Sequence, residues 1–177
     1  MTIHAMATSV HNTDTAYRGH MTGKRPKGYL QGNDLKQLIQ NAPLISIDLI
    51  IRDNDGSILF GRRINEPAKG RWFVPGGRIL KDERLGQAFE RICRDEIGKR
   101  WRISDAQFIG VFEHFYANNV LGAEGISTHY IVLAYGIRSD SDIRPPKADQ
   151  HTEYRWFKSR DDDSDIHEYA AAYFDHM

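Results

Sequence analysis

Thiols are almost absent from this chain, whose 177 residues include a single cysteine, Cys93. A lone cysteine excludes an intramolecular disulfide and every thiolate-rich zinc arrangement, and it is the usage that a reducing cytoplasm produces. Excess charge is missing too. With 24 basic and 24 acidic side chains the formal net charge is zero, so the counterion release that drives general nucleic-acid affinity has no source, and no nucleic-acid partner is expected. The sequence starts without an apolar stretch of signal-peptide length, and no later segment approaches about 18 uninterrupted apolar residues, which predicts no membrane span. A cytoplasmic protein is the resulting expectation. The 40% hydrophobic content is enough for one core and does not ask for a second.

Residues 1–32 are rich in Thr, Gly, His and basic groups and show neither helical nor strand periodicity, so they read as a flexible extension, with one domain over 33–177. Asn33 is a plausible helix cap, because Leu35, Leu38 and Ile39 recur at the spacing of one apolar helical face, and Pro43 sets the end. Residues 44–51 form a β-branched run, followed by a turn at Asp53-Asn54-Asp55-Gly56 and a second strand over 57–62, which together predict a hairpin. Further strands are predicted at 71–74, 107–115, 129–137 and 153–157, and a terminal helix near 165–174. Pro75-Gly76-Gly77 interrupts the strand pattern. One long helix among six or so strands predicts an α/β fold in which helices cover a mixed sheet. The connection over 116–127 is longer than a hairpin requires, which fits either a functional loop or an inert excursion.

The most informative segment follows the glycines. On a wheel advancing about 100° per residue from Leu85, Ala88, Phe89 and Ile92 cluster within about 60°, so residues 85–97 form a helix with a core-facing stripe. Glu96 falls at roughly 20° on the same wheel, in line with the core residues. A buried carboxylate is expensive unless it is paired with a cation, protonated or released at a frayed helix end. A metal ion would answer the first demand, and Gly76-Gly77-Arg78 just upstream lets backbone carbonyls approach a hard cation. Without the glycines, Glu83, Arg91 and Asp95 would read as an ordinary helix-surface charge network.

The positions Gly77, Glu83, Arg91, Asp95, Glu96 and Gly98 give the spacing G-x₅-E-x₇-R-x₃-D-E-x-G, which resembles the Nudix box, a loop-helix-loop motif for Mg²⁺ and diphosphate. Two positions depart from it: Ile92 and Asp95 stand where the ordinary box has glutamates. An apolar side chain cannot ligate metal, so fewer ions are expected here, with Glu96 as the main box ligand. The substituted box, together with Gly-Arg-Trp-Phe-Val-Pro-Gly-Gly-Arg over 70–78, is similar to that of the GDP-mannose mannosyl hydrolases. The similarity continues through Ser46-Ile47-Asp48, Phe60-Gly61-Arg62-Arg63, Glu113-His114-Phe115-Tyr116, Thr128-His129-Tyr130, Asp149-Gln150-His151 and Tyr154-Arg155-Trp156, covering residues 33–157.

That resemblance implies an α/β/α sandwich and one Mg²⁺ held by the Gly76 carbonyl, Glu96 and Gln150, all oxygen donors of the kind Mg²⁺ prefers. It implies His151 as general base, a role that an imidazole with an ordinary pKa near 6.5 can fill. Water would attack the anomeric carbon of GDP-mannose or GDP-glucose with inversion, and GDP would leave intact. Charge then grows on the diphosphate, and Arg63, Arg78 and Tyr130 are the candidate donors to it. Asp48, an acidic interruption of an apolar strand, is placed at the sugar; a strand-edge aspartate with a local partner is the competing reading. The resemblance also implies a homodimer. Two other readings remain open from sequence: a Nudix pyrophosphohydrolase attacking phosphorus, and a catalytically idle nucleotide-sugar sensor.

Overall fold

The computed structural model describes residues 28–139, 143, 145 and 151–176. Its first element is helix α1 (Gly32–Asn41), which buries Leu35 and Ile39 and starts after Gln31, so Asn33 lies in the first turn and is not the cap. Gly28 packs on the Lys81 backbone, and Tyr29 lies under the Arg78 guanidinium at 5.9 Å. Gly28 and Tyr29, within the stretch expected to be a flexible extension, therefore touch the domain; residues 1–27 of that stretch lie outside the described residues.

Strand β1 (Leu44–Arg52) is the axis of a seven-stranded mixed sheet. The turn at Asp53 forms as the sequence predicts: its carboxylate accepts from the Asp55 and Ser57 amides at 3.0 and 2.8 Å, and Gly56 takes φ +82°. Strand β2 (Ile58–Arg63) leaves β1 after the single pair Arg52↔Ile58. The hairpin opens into a fork. Along Ser46 to Asp48 its place beside β1 is taken by β4 (Gly76–Arg78), which follows the two-residue β3 (Trp72–Phe73). The expected interruption falls at Val74 and Pro75, and Gly76 and Gly77 resume the sheet as β4. On its other side β1 runs parallel to β6 (Thr128–Arg138), and β6 pairs antiparallel with the edge strand β5 (Gln107–Tyr116). Strand β7 (His151–Phe157) pairs antiparallel with β2.

Alternation along β1 divides the molecule. Ile47, Leu49 and Ile51 face helix α2 (Leu85–Ile92) and pack with Ala88, Phe89 and Ile92. Ile50 faces the other way, toward Phe60, Trp72, Phe73, Ala134 and Tyr173. This second layer is closed by a C-terminal segment with α3 (Glu168–Ala171) and a tighter turn at Ala172–Asp175 in place of one continuous helix. Helices on both faces of a mixed sheet make the expected sandwich. The excursion over 116–127 is knit by Asn119, 1% exposed, whose amide donates to the Ala123 and Ile126 carbonyls and whose oxygen accepts from the Leu121 and Ala123 amides. Val120, Leu121 and Ile126 pack against α1. Among the described residues no helix is long and apolar enough to cross a membrane.

Candidate functional site

The regular part of α2 ends at Ile92, and the chain continues as one wider π turn, Cys93–Ile97, closed by Gly98 at φ +74°. Single π turns recur where a helix must redirect a side chain. Here it turns Glu96 inward, 5% exposed, while Asp95 faces outward and pairs with Arg94 at 2.9 Å. Ile92, at the departed box position, is 1% exposed in the core against Gly77, where a Cβ would meet its Cγ1 at 3.2 Å. Glu83 is also occupied. Its carboxylate takes two hydrogen bonds from Arg91, at 2.7 and 2.9 Å, and one from the Leu80 amide, while Arg91 also donates to the Arg78 carbonyl at 2.8 Å. Burial works to raise the Glu83 carboxyl, but these donors outweigh it and hold it below the ordinary value. Glu83 and Arg91 therefore brace the loop leading into α2. Of the box positions, Glu96 alone supplies a buried, inward-facing carboxylate.

Gly76 is positioned by its ladder. Ile79 donates to the Ile45 carbonyl and Leu49 to the Pro75 carbonyl, so hydrogen-bonded pairs alternate and Gly76, opposite Asp48, is a non-bonded pair. Its carbonyl points away from β1. A Cβ here would stand 2.6 Å from the Ile47 carbonyl and 2.8 Å from Asp48 Oδ1, so the close approach requires glycine. A carbonyl turned out of the ladder and an inward carboxylate are hard oxygen donors that suit Mg²⁺. Gln150, the third expected ligand, lies outside the described residues, among which no cluster of three or more His, Cys, Asp or Glu forms a metal-holding group.

His151 opens β7 and does not sit on an exposed loop: it is 5% exposed, and its ring fills the space beside Gly61, where a Cβ would be 2.5 Å from Cδ2. Its Nδ1 lies 3.5 Å from Glu96 Oε2 and 3.2 Å from the Tyr154 hydroxyl, which donates to the Glu96 carbonyl at 3.3 Å. The tautomer with its proton on Nδ1 lets that nitrogen donate to the hydroxyl and leaves Nε2 as the basic nitrogen. Nε2 is buried and meets no hydrogen-bond partner among the described residues.

Asp48 belongs to a second group on the opposite face of β1. It is not a strand-edge residue but stands mid-strand, 6% exposed, accepting a 2.7 Å hydrogen bond from the Tyr173 hydroxyl. Burial raises its carboxyl to about 7, against the opposing effects of Tyr173 and Arg63. Arg63 reaches this face because the β2–β7 register shifts between Gly61 and Arg63; it donates to the Pro67 carbonyl at 2.9 Å and lies over Phe73 at 5.9 Å. His114, Tyr116, His167 and Tyr169 complete the wall, with His114 stacked on Tyr169 at 4.4 Å and Tyr116 edge-on to Tyr130 at 6.2 Å. Burial, then His167, lowers His114 to about 4, so its imidazole is neutral. Burial and the nearby Asp48 charge push the Tyr116 phenol upward.

The two groups meet at the fork, where Gly76 faces Asp48 across β4 and Arg63 faces His151 across β7. Arg78, beside them on β4, pairs its backbone with Ser46. From sequence, His114 and Tyr116 enter only as part of the resemblance, with no site role, although two residues apart in a strand they share a face by period alone.

This fold and box define a class. A NUDIX domain model matches residues 42–172, and the chain belongs to the Nudix family of hydrolases. The chain is 36% identical over 152 residues to the low-salt glycan biosynthesis protein Agl8 of Haloferax volcanii, covering 85% of this chain and 92% of that protein. Solved structures with the same fold include a MutT NUDIX hydrolase from Burkholderia pseudomallei, at TM-score 0.61, 23% identity, 77% of this chain and 99% of that one. The MutT protein from Methanosarcina mazei Go1 aligns at TM-score 0.59 and 20% identity over 76% of this chain and 93% of that one. Nudix hydrolases generally use divalent metals such as Mg²⁺ or Mn²⁺.

Proposed function

We propose that this chain hydrolyses a GDP-sugar, GDP-mannose or GDP-glucose, to GDP and free sugar by water attack at the anomeric carbon with inversion, using Mg²⁺. The observation that carries the reading is the box carboxylate count. Glu83 is spent on Arg91, Asp95 faces solvent, Ile92 is core, and Glu96 alone turns inward. Attack at phosphorus is commonly served by several carboxylate-bound ions that clamp attacking and leaving oxygens, whereas loss of a diphosphate from carbon needs its growing charge neutralised. Kinship to a protein named for glycan biosynthesis is in keeping with a nucleotide-sugar substrate.

In this reading Glu96, the Gly76 carbonyl and Gln150 hold Mg²⁺, which supplies charge neutralisation to the departing diphosphate. Arg63 and Arg78 add cationic donors, and Tyr130 a hydroxyl, to the same oxygens. His151, oriented through Nδ1, takes the proton of the attacking water on Nε2. Asp48, His114, Tyr116 and Tyr169 receive the sugar, whose C–H faces suit aromatic rings and whose hydroxyls suit a carboxylate.

Hydrolysis of GDP-mannose in ¹⁸O-water, with Mg²⁺ and with EDTA, tests this by resolving GDP from GMP. Label in free mannose with Mg²⁺-dependent release of GDP is expected. Label in a phosphate product would establish the pyrophosphohydrolase route instead, and no Mg²⁺-stimulated turnover across a panel of nucleotide sugars would leave a binding protein.

A further inference from the structure

The C-terminal segment, of which only the last turn lies past residues 42–172 of the family match, grips the Asp48 side of the site. It is hung on β3 by backbone bonds: Trp72 donates to the Asp165 carbonyl at 3.0 Å, and His167 donates to the Trp72 carbonyl at 3.1 Å. Arg71 donates to the Asp165 and Ile166 carbonyls, and Trp72 Nε1 to Asp163. From this anchorage two tyrosines reach across the sheet. The Tyr169 hydroxyl donates to the Phe115 carbonyl at 3.0 Å and accepts from the Phe115 amide at 3.1 Å, while its ring lies on His114 with 4° between the planes. Tyr173 is fully buried, edge-on to Phe112 at 5.1 Å, and its hydroxyl donates to Asp48 Oδ2.

A buried tyrosine–aspartate pair is a costly way to fill a core. Both groups lose their hydration, and an apolar pair of similar volume would stabilise the fold at least as well. What the pair does achieve is orientation. With Oδ2 held by Tyr173, Oδ1 is the oxygen that faces Gly76, at the place a Cβ would fill. We infer that Tyr173 is a positioning residue of the site, setting which oxygen of Asp48 faces the substrate at the β1–β2 fork. The inference rests on the proposed role of Asp48 and extends it to a residue that touches no substrate.

A double-mutant cycle between Tyr173→Phe and Asp48→Ala tests it, using the nucleotide sugar that the wild type consumes fastest. If Tyr173 acts through Asp48, Tyr173→Phe lowers kcat/KM by roughly tenfold or more in the wild-type background, and changes it by less than about twofold once Asp48 is alanine. A merely structural tyrosine would cost the same factor in both backgrounds, and that result overturns the inference, as does an undiminished rate in Tyr173→Phe. Thermal unfolding of all four proteins reports the structural contribution separately. Should Asp48→Ala be too slow to assay, or the wild type turn nothing over, calorimetric affinity for the intact nucleotide sugar replaces kcat/KM in the cycle. Coupled losses then support the positioning role, and equal losses in both backgrounds overturn it. Product identity is scored apart from rate. Release of GMP in place of GDP would sink the functional reading without touching the cycle, whereas additive effects would sink the positioning role without touching the reading.

Discussion

At the scale of single residues, the site is defined by close approaches as much as by charges. Gly61 makes room for the imidazole of His151, with a Cβ position 2.5 Å from Cδ2 and 3.0 Å from Tyr154 Cε1. Gly61→Ala should therefore overpack this point, costing about 1–3 kcal/mol in denaturant unfolding, and should lower kcat by displacing the ring. An unchanged kcat would mean that catalysis does not use the ring where it now sits. His151→Gln, which leaves the space filled, should lower kcat by roughly 10² to 10⁴ with little change in KM, the range for loss of a general base. Equal kcat in that variant would remove His151 from the role. Glu96→Gln should shift the Mg²⁺ titration of activity to higher concentration, and coincident titrations would contradict its assignment as ligand.

At the scale of elements, the loop between β4 and α2 is held by one ion pair. Glu83 and Arg91 are 14% and 18% exposed at their side chains, with good geometry and both carboxylate oxygens accepting hydrogen bonds. Removing one partner leaves a largely buried charge, so Glu83→Ala should cost about 3–5 kcal/mol, visible as a lower urea midpoint at constant slope. A loss below about 1 kcal/mol would place the pair with ordinary surface ion pairs. The sequence made this helix and its neighbours legible because their signals are local: β-branched runs for β1, an Asp–Gly turn, a 3.6-residue stripe for α2, and the box spacing itself. It did not disclose that the hairpin opens or that Gly76 to Arg78 pair with β1, since both depend on which strand competes for one edge. The burial of His151 escaped for a related reason. A histidine next to a predicted loop becomes a core residue only because a distant glycine on β2, Gly61, admits its ring.

At the scale of the whole molecule, the Asp48 group couples the site to global stability with two opposing slopes. His114 is neutral in the fold, its pKa lowered by burial and by His167 from 6.5 to about 4. The fold therefore keeps this contribution above pH 6.5 and loses it as pH falls toward 4, when the unfolded chain takes up a proton that the folded one refuses. Asp48 runs the other way. Burial raises its carboxyl from 3.8 to about 7, so its contribution is full below about pH 4 and is lost as pH rises toward 7. Each amounts to about 3–4 kcal/mol at its limit, and the two windows nearly coincide, so in the wild type they largely cancel between pH 4 and 7. Asp48→Asn removes one slope and leaves the other. Its unfolding free energy should fall by about 3 kcal/mol between about pH 6.5 and 4 relative to wild type measured in parallel. His114→Asn should show the reverse, losing stability as pH rises over the same interval. Parallel curves for the variants and the wild type would mean that these buried groups titrate alike in folded and unfolded chains, and that the wall around Asp48 is open to water.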